Sequence, residues 1–218
     1  MRRHGLLIFD LDGTLFRGDA VTLASARRAF AERGLPAPPE EEIRRFVGRP
    51  PREFHEWLAS ACAPRMGQEV AEAIERGELE LLRQAGGLYP GAEQALATLR
   101  ASAEQMAVCT NGPGPYVEAV LDGFGLRPFF DLVRRIESAD DEKAGMVADV
   151  LRRLPARPAI MIGDRRDDVA AAHANGLLVV AVTYGVGKRG ELTEADALAD
   201  SPAEMAAAVL EALRRHRR

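Results

Sequence analysis

The sequence predicts an α/β protein, a parallel sheet core interrupted by an inserted all-helical stretch. Short apolar runs with strand character fall at residues 6–9, 106–109, 159–162 and 177–182, and helical patterns lie between them. Such alternation predicts a parallel sheet with crossover helices. Residues 19–86 carry helix signals and no strand signal. Because the first strand precedes that stretch and the others come after it, the core is expected to be discontinuous. It would comprise residues 1–16 and 87–218, with a helical insert over 17–86. A chain of 218 residues suits one large domain, or one domain with a modest insert.

Each element has its own signal. Leu6 to Phe9, bounded by Gly5 and Asp10, reads as a strand buried on both faces. Leu23, Ala26, Phe30 and Ala31 recur at helical spacing, and Gly34-Leu35-Pro36 ends that helix. Glu40 to Val47 predicts a second short helix, Pro51 to Cys62 a third with proline in its first turn, and Val70 to Leu82 a fourth. After Gly87 the predicted helices are 91–101, 115–123, 142–154 and 167–175, with a weaker strand candidate over 130–136. Ser201-Pro202 supplies an N-cap and first-turn pair for a last helix.

Composition excludes several classes. Hydrophobic residues make up 47% of the chain, enough for a packed core, and the net charge of −4 offers no field to attract nucleic acid. The basic run Arg214 to Arg218 reads as a solvated helix end, its cations favourable against the C-terminal dipole. Met1-Arg2-Arg3-His4 leads into an apolar run too short for a signal peptide, and no stretch approaches the roughly 20 apolar residues of a membrane span. Cys62 and Cys109 have no metal-ligand spacing and read as free thiols. The expectation is a cytoplasmic protein, monomer or homodimer, with no nucleic-acid or membrane partner.

Ligands of open α/β sheets bind at the carboxyl ends of the strands. The first strand ends in Asp10-Leu11-Asp12-Gly13-Thr14, the second in Thr110-Asn111-Gly112, and the third in Gly163-Asp164, with Arg165-Arg166-Asp167-Asp168 next. Lys143 opens a helix between the second and third. Any one of these aspartates alone would serve equally as a cap or turn residue. Gathered at one sheet edge, carboxylates repel one another and stay ionised only around a cation. Hard oxygen ligands together with a phosphate suit Mg²⁺.

These residues carry a family resemblance. Asp10-Leu11-Asp12-Gly13-Thr14-Leu15 resembles the first motif of the haloacid dehalogenase-like superfamily. Thr110, Lys143, and Gly163-Asp164 with Asp168 resemble its second, third and fourth motifs, in order. The insert resembles that family's C1-type helical cap, and the chain is most similar to the phosphoglycolate phosphatase-like branch. The resemblance implies a Rossmann-like core and an Mg²⁺-dependent phosphatase that acts on a small phosphorylated metabolite through an aspartyl-phosphate. It implies Asp10 as nucleophile and metal ligand, and Asp12 as general acid and base with a backbone carbonyl on the metal. It implies Thr110 and Lys143 as holders of the phosphoryl oxygens, with Asn111 and Gly112 beside the substrate. Asp164 would be a metal ligand, and Asp168 a ligand directly or through water. Within the family, Asp12 argues against dehalogenation and phosphonate cleavage, whose branches lack that aspartate. A nucleoside 5′-monophosphatase, a phosphosugar mutase and a non-catalytic phospho-ligand-binding protein remain alternatives.

Two further features bear on this reading. Of 29 Lys plus Arg residues only Lys143 and Lys188 are lysines, so a retained lysine points to a need for a compact point charge. Phe46-Val47-Gly48-Arg49-Pro50-Pro51 lies between two predicted helices of the insert. Gly48 would permit a tight turn or close approach, and Arg49 would offer a fork to a carboxylate or phosphate on the substrate, favouring small acidic phosphoesters. Gly185-Val186-Gly187-Lys188-Arg189-Gly190 fits a dinucleotide-binding glycine pattern, but too little chain remains after it to complete the required βαβ unit. It is read as a glycine-rich loop at the sheet edge.

Overall fold

The computed structural model describes residues 3–62 and 64–216. Met1, Arg2, Arg217 and Arg218, which belong to the two basic terminal runs, lie outside the described residues. The strands are β1 (Leu6–Phe9), β2 (Gln105–Thr110), β3 (Leu132–Arg135), β4 (Ala159–Gly163), β5 (Leu178–Val182) and β6 (Ala197–Ala199). They form one parallel sheet in the order β3-β2-β1-β4-β5-β6. Chain order reverses direction on either side of β1. That reversal opens the crevice where ligands of such sheets bind, at the carboxyl ends of β1, β2 and β4.

Nine helices occur among the described residues: α1 (Gly18–Glu32), α2 (Glu40–Arg44), α3 (Pro51–Cys62), α4 (Pro64–Ala85), α5 (Ala92–Arg100), α6 (Gly114–Gly123), α7 (Lys143–Arg153), α8 (Arg166–Ala174) and α9 (Pro202–Arg215). The pleat of β1 shows why its run is continuously apolar. Leu7 and Phe9 face a cluster built with α5, α6 and α9, and Leu6 and Ile8 face one built with α7 and α8. Helices α1 to α4 close around an apolar cluster of their own, including Leu23, Phe30, Ile43, Leu58, Val70 and Ile74. Burial of side chains this size stabilises by about 1.5–3 kcal/mol each, so each of the three layers has its own driving force.

Two expectations need correction, and one strand went unread. The second helix ends at Arg44, not Val47. Phe46 N and Val47 N bond back three residues, to Ile43 O and Arg44 O, so the chain tightens into a last turn before Gly48 reverses it at φ +78°. Helix α4 runs well beyond Val70–Leu82 at both ends, because its first turns are too polar to show apolar periodicity although Met66 packs on the cluster. Strand β6 is only three residues long and sits on the edge, below the length at which alternation can be read.

Candidate active site

Two strand ends and two helix N-termini deliver the charged groups to one place. Asp10 comes directly after β1, Asp164 directly after β4, Asp168 lies in the first turn of α8, and Lys143 is the first residue of α7. All four are buried. Asp10, Asp164 and Asp168 each present a carboxylate oxygen within 4.8 Å of the others. Lys143 Nζ donates to Asp10 Oδ1 at 2.5 Å and lies 3.0 Å from Asp168 Oδ1. Burial pulls the Lys143 ammonium down, but the Asp10 and Asp168 carboxylates outweigh it and raise its pKa above the ordinary lysine value. Lys143 thus pairs with two of the three carboxylates, and the surplus negative charge is what a divalent ion would neutralise. Burial likewise pushes Asp10 up to about 7, with Lys143 opposing and the neighbouring aspartates adding to the rise.

Asp168 also accepts a hydrogen bond from the Arg165 N–H at 3.0 Å. It therefore caps α8 and joins the cluster at once, so the two readings of a strand-end aspartate are not exclusive. Asp164 Oδ2 accepts the backbone N–H groups of Val186 at 2.7 Å and Gly187 at 3.0 Å, and Thr14 Oγ1 donates to its other oxygen at 3.4 Å. Burial is the main cause that pushes Asp164 up to about 7, and those two N–H groups oppose it.

The glycine-rich loop after β5 is thus the cradle of Asp164. A Cβ at Gly187 would collide with the Asp164 carbonyl oxygen, and one at Gly185 with its carboxylate and with Gly13 O. The pattern that resembles a nucleotide fingerprint exists because backbone must touch backbone here. Reading the residues after the fourth strand signal as strand-end residues, like those after the first three, would have found this loop. Tyr184 Oη, also after β5, donates to Thr14 O at 3.0 Å.

Asp12 is brought to the same sheet edge, but its side chain stands outside the three-carboxylate group. Tyr116 Oη donates to Asp12 Oδ1 at 2.7 Å. Gly18 sits against this pair, and a Cβ there would collide with the Asp12 carboxylate. Burial pushes Asp12 up to about 7, and the Tyr116 hydrogen bond opposes it. That value suits a group that exchanges protons near neutrality. Nothing in the sequence marks Tyr116 for this role, because its partner is 104 residues away.

The residues at the end of β2 lie at the same sheet edge. Thr110 Oγ1 accepts the Gly112 N–H at 3.2 Å, which leaves its own proton for another acceptor. Asn111 Nδ2 donates to Gly48 O at 3.0 Å and so ties β2 to the loop after α2. Arg165 reaches the same region by donating to Arg45 O. Arg49 is exposed, just before α3, and one of its nitrogens pairs with Glu53 at 3.2 Å.

The chain belongs to the haloacid dehalogenase-like hydrolase family, whose model matches residues 7–182. It is 32% identical over 208 residues to a phosphoglycolate phosphatase of Cupriavidus necator, covering 89% of this chain and 88% of that one. It is also 32% identical over 193 residues to the tyrosine-protein kinase PtkA of Mycobacterium tuberculosis. That match covers 84% of this chain, which spans only 63% of the length of PtkA. A haloacid dehalogenase-like family protein from Streptococcus pneumoniae shares the fold, with a TM-score of 0.84 at 23% identity over 94% of this chain and 98% of that one. No helix among the described residues is long and apolar enough to cross a membrane.

Proposed function

We infer that the protein hydrolyses small phosphomonoesters by passing the phosphoryl group through Asp10 to water. The observation that carries this is the convergence of Asp10, Asp164 and Asp168 around Lys143, with Asp12 held apart from them by Tyr116. Residues 1–16 and 87–218 form the catalytic core in this reading, and 17–86 a cap over it. An Asp10 carboxylate oxygen attacks phosphorus, and the ester oxygen leaves with a proton from Asp12. Water then gives a proton to the Asp12 carboxylate and attacks the aspartyl-phosphate, which frees Asp10 and inorganic phosphate. Lys143 and the Thr110 hydroxyl face the phosphoryl oxygens and match their charge. Asn111 and Gly112 lie at the same sheet edge.

The donor set fits Mg²⁺: three buried carboxylates within reach of one another, all hard oxygen ligands. Asp10, Asp164 and Asp168 would hold it with the Asp12 backbone carbonyl. When bound, it would neutralise charge on the phosphoryl oxygens. The Val186 and Gly187 N–H groups hold the Asp164 carboxylate in orientation, as supporting partners of a metal ligand do.

The test is phosphate release from a panel of small phosphoesters, with magnesium and then with excess chelator. Release is expected with magnesium alone, from 2-phosphoglycolate or other small esters, without any added bisphosphate. Activity that survives full chelation would contradict the ligand set. Release only after addition of a sugar bisphosphate would indicate a mutase. Selective release from nucleoside monophosphates would indicate a nucleotidase, and none from any ester a binding protein.

A further inference from the structure

A cavity of about 80 Å³ lies between the helical insert and the sheet edge, bordered by Asp12 on one side and by α1, α3 and α4 on the other. Pockets for drug-sized ligands measure about 300–1,000 Å³, so this space suits a leaving group of a few atoms. This inference rests on the phosphatase reading, since the group that borders the cavity is the proposed acid, Asp12.

The polar groups facing the cavity are mostly acceptors. Asn111 lines it and is almost fully buried, and its Oδ1 has no hydrogen-bond partner. The amide orientation is fixed, because Nδ2 must point to the Gly48 carbonyl and an oxygen there would face another acceptor. The Glu78 carboxylate also lines the cavity, and among the described residues it accepts a hydrogen bond from the Thr22 hydroxyl alone, at 2.6 Å. The two basic side chains that line the cavity already have acidic partners, and Glu75, the partner of His55, lines it too. Arg49 pairs with Glu53 at 3.2 Å, and His55 Nε2 lies 2.9 Å from Glu75 Oε1. The Phe46 and Phe54 rings complete the wall, 5.4 Å apart.

We propose that this cavity selects phosphomonoesters whose leaving group carries an ammonium, which donates to Glu78 and to Asn111 Oδ1. An unpaired buried acceptor costs free energy that a donor on the ligand recovers. A carboxylate in the same place would meet Asp12 and Glu78, with Arg49 and His55 already facing acidic partners, and would be repelled. The aromatic edge adds a face on which a cation is tolerated. Burial pushes Glu78 up to about 7, with Thr22 opposing and Asp12 adding to the rise, and an adjacent ammonium would hold it ionised. In this proposal the cavity favours amine esters over the acidic esters that Arg49 suggested in the sequence.

The experiment compares O-phosphoethanolamine with 2-phosphoglycolate, two esters of nearly equal size and opposite leaving-group charge. The readouts are kcat/KM for phosphate release, and calorimetric affinity for the Asp10→Asn protein in magnesium. The amine ester is expected to be favoured by about tenfold or more in both. Glu78→Gln keeps an acceptor for Thr22 and removes the charge, and it should bring the two esters to near parity. Equal or better handling of 2-phosphoglycolate by the unaltered site overturns the proposal, as does a preference that Glu78→Gln leaves intact. If p-nitrophenyl phosphate and 2-phosphoglycolate are hydrolysed with no advantage for the amine, the specificity reading fails and the phosphatase reading stands. If no ester is hydrolysed but the binding preference holds, the reverse is true.

Discussion

Asp10→Asn is expected to eliminate phosphate release, by several orders of magnitude, while leaving the protein folded. The amide is nearly isosteric and can accept the Lys143 hydrogen bond now received by Asp10 Oδ1. It also removes one buried negative charge from a cluster of three, so the fold has no reason to weaken. What it cannot do is form the acyl phosphate. The checks are phosphate release from p-nitrophenyl phosphate and a melting curve on the same sample. A variant that melts early would leave the activity loss ambiguous, whereas a stable variant with near-normal turnover would remove Asp10 from the mechanism.

Lys143→Ala should show the second-largest effect, and on both properties. It leaves Asp10 and Asp168 buried without their shared cation. Removing one partner of a buried pair costs about 3–5 kcal/mol, and loss of one donor to a transition-state charge costs about 10²–10³ in rate. Magnesium should recover part of the stability, since it supplies positive charge to the same carboxylates, and little of the rate. Lys143→Arg is expected to rescue poorly, because a planar fork does not fit a space shaped for a compact ammonium. A Lys143→Ala protein with unchanged melting temperature in chelator would show that the ion pair carries no net stability.

The layout of the core was legible because strand ends can be read one by one. Asp10, Thr110 and Asp164 each stand as a polar residue at the end of an apolar run, and the parallel sheet brings those ends to one edge. Lys143 stood out by scarcity in a chain that otherwise uses arginine. The groups that were missed share a physical reason. Tyr116, Glu78 and the Val186 and Gly187 amides act on partners brought close only by packing. The Tyr116 partner is Asp12, the Glu78 partner is Thr22 on another helix, and the amides grip Asp164 from the next strand over. A backbone N–H has no sequence signature beyond the glycine that lets it approach. Gly185 and Gly187 did carry that signature and were read as a glycine-rich loop at the sheet edge, but nothing in their pattern named Asp164 as the partner. The helices of the insert were legible from local signals, whereas the face they turn to Asp12 was not, because that face is assembled from separate helices, α1, α3 and α4.

The most direct test of the central claim is to trap the covalent intermediate. The protein would be mixed with excess p-nitrophenyl phosphate and magnesium, quenched in acid within the first turnovers, digested, and read by tandem mass spectrometry. The account predicts one added phosphoryl group on the peptide that contains Asp10. It also predicts that borohydride reduction of that acyl phosphate gives homoserine at position 10 and at no other aspartate. Steady turnover with no phosphoryl group on Asp10 at any quench time, or with the label on another residue, would contradict it.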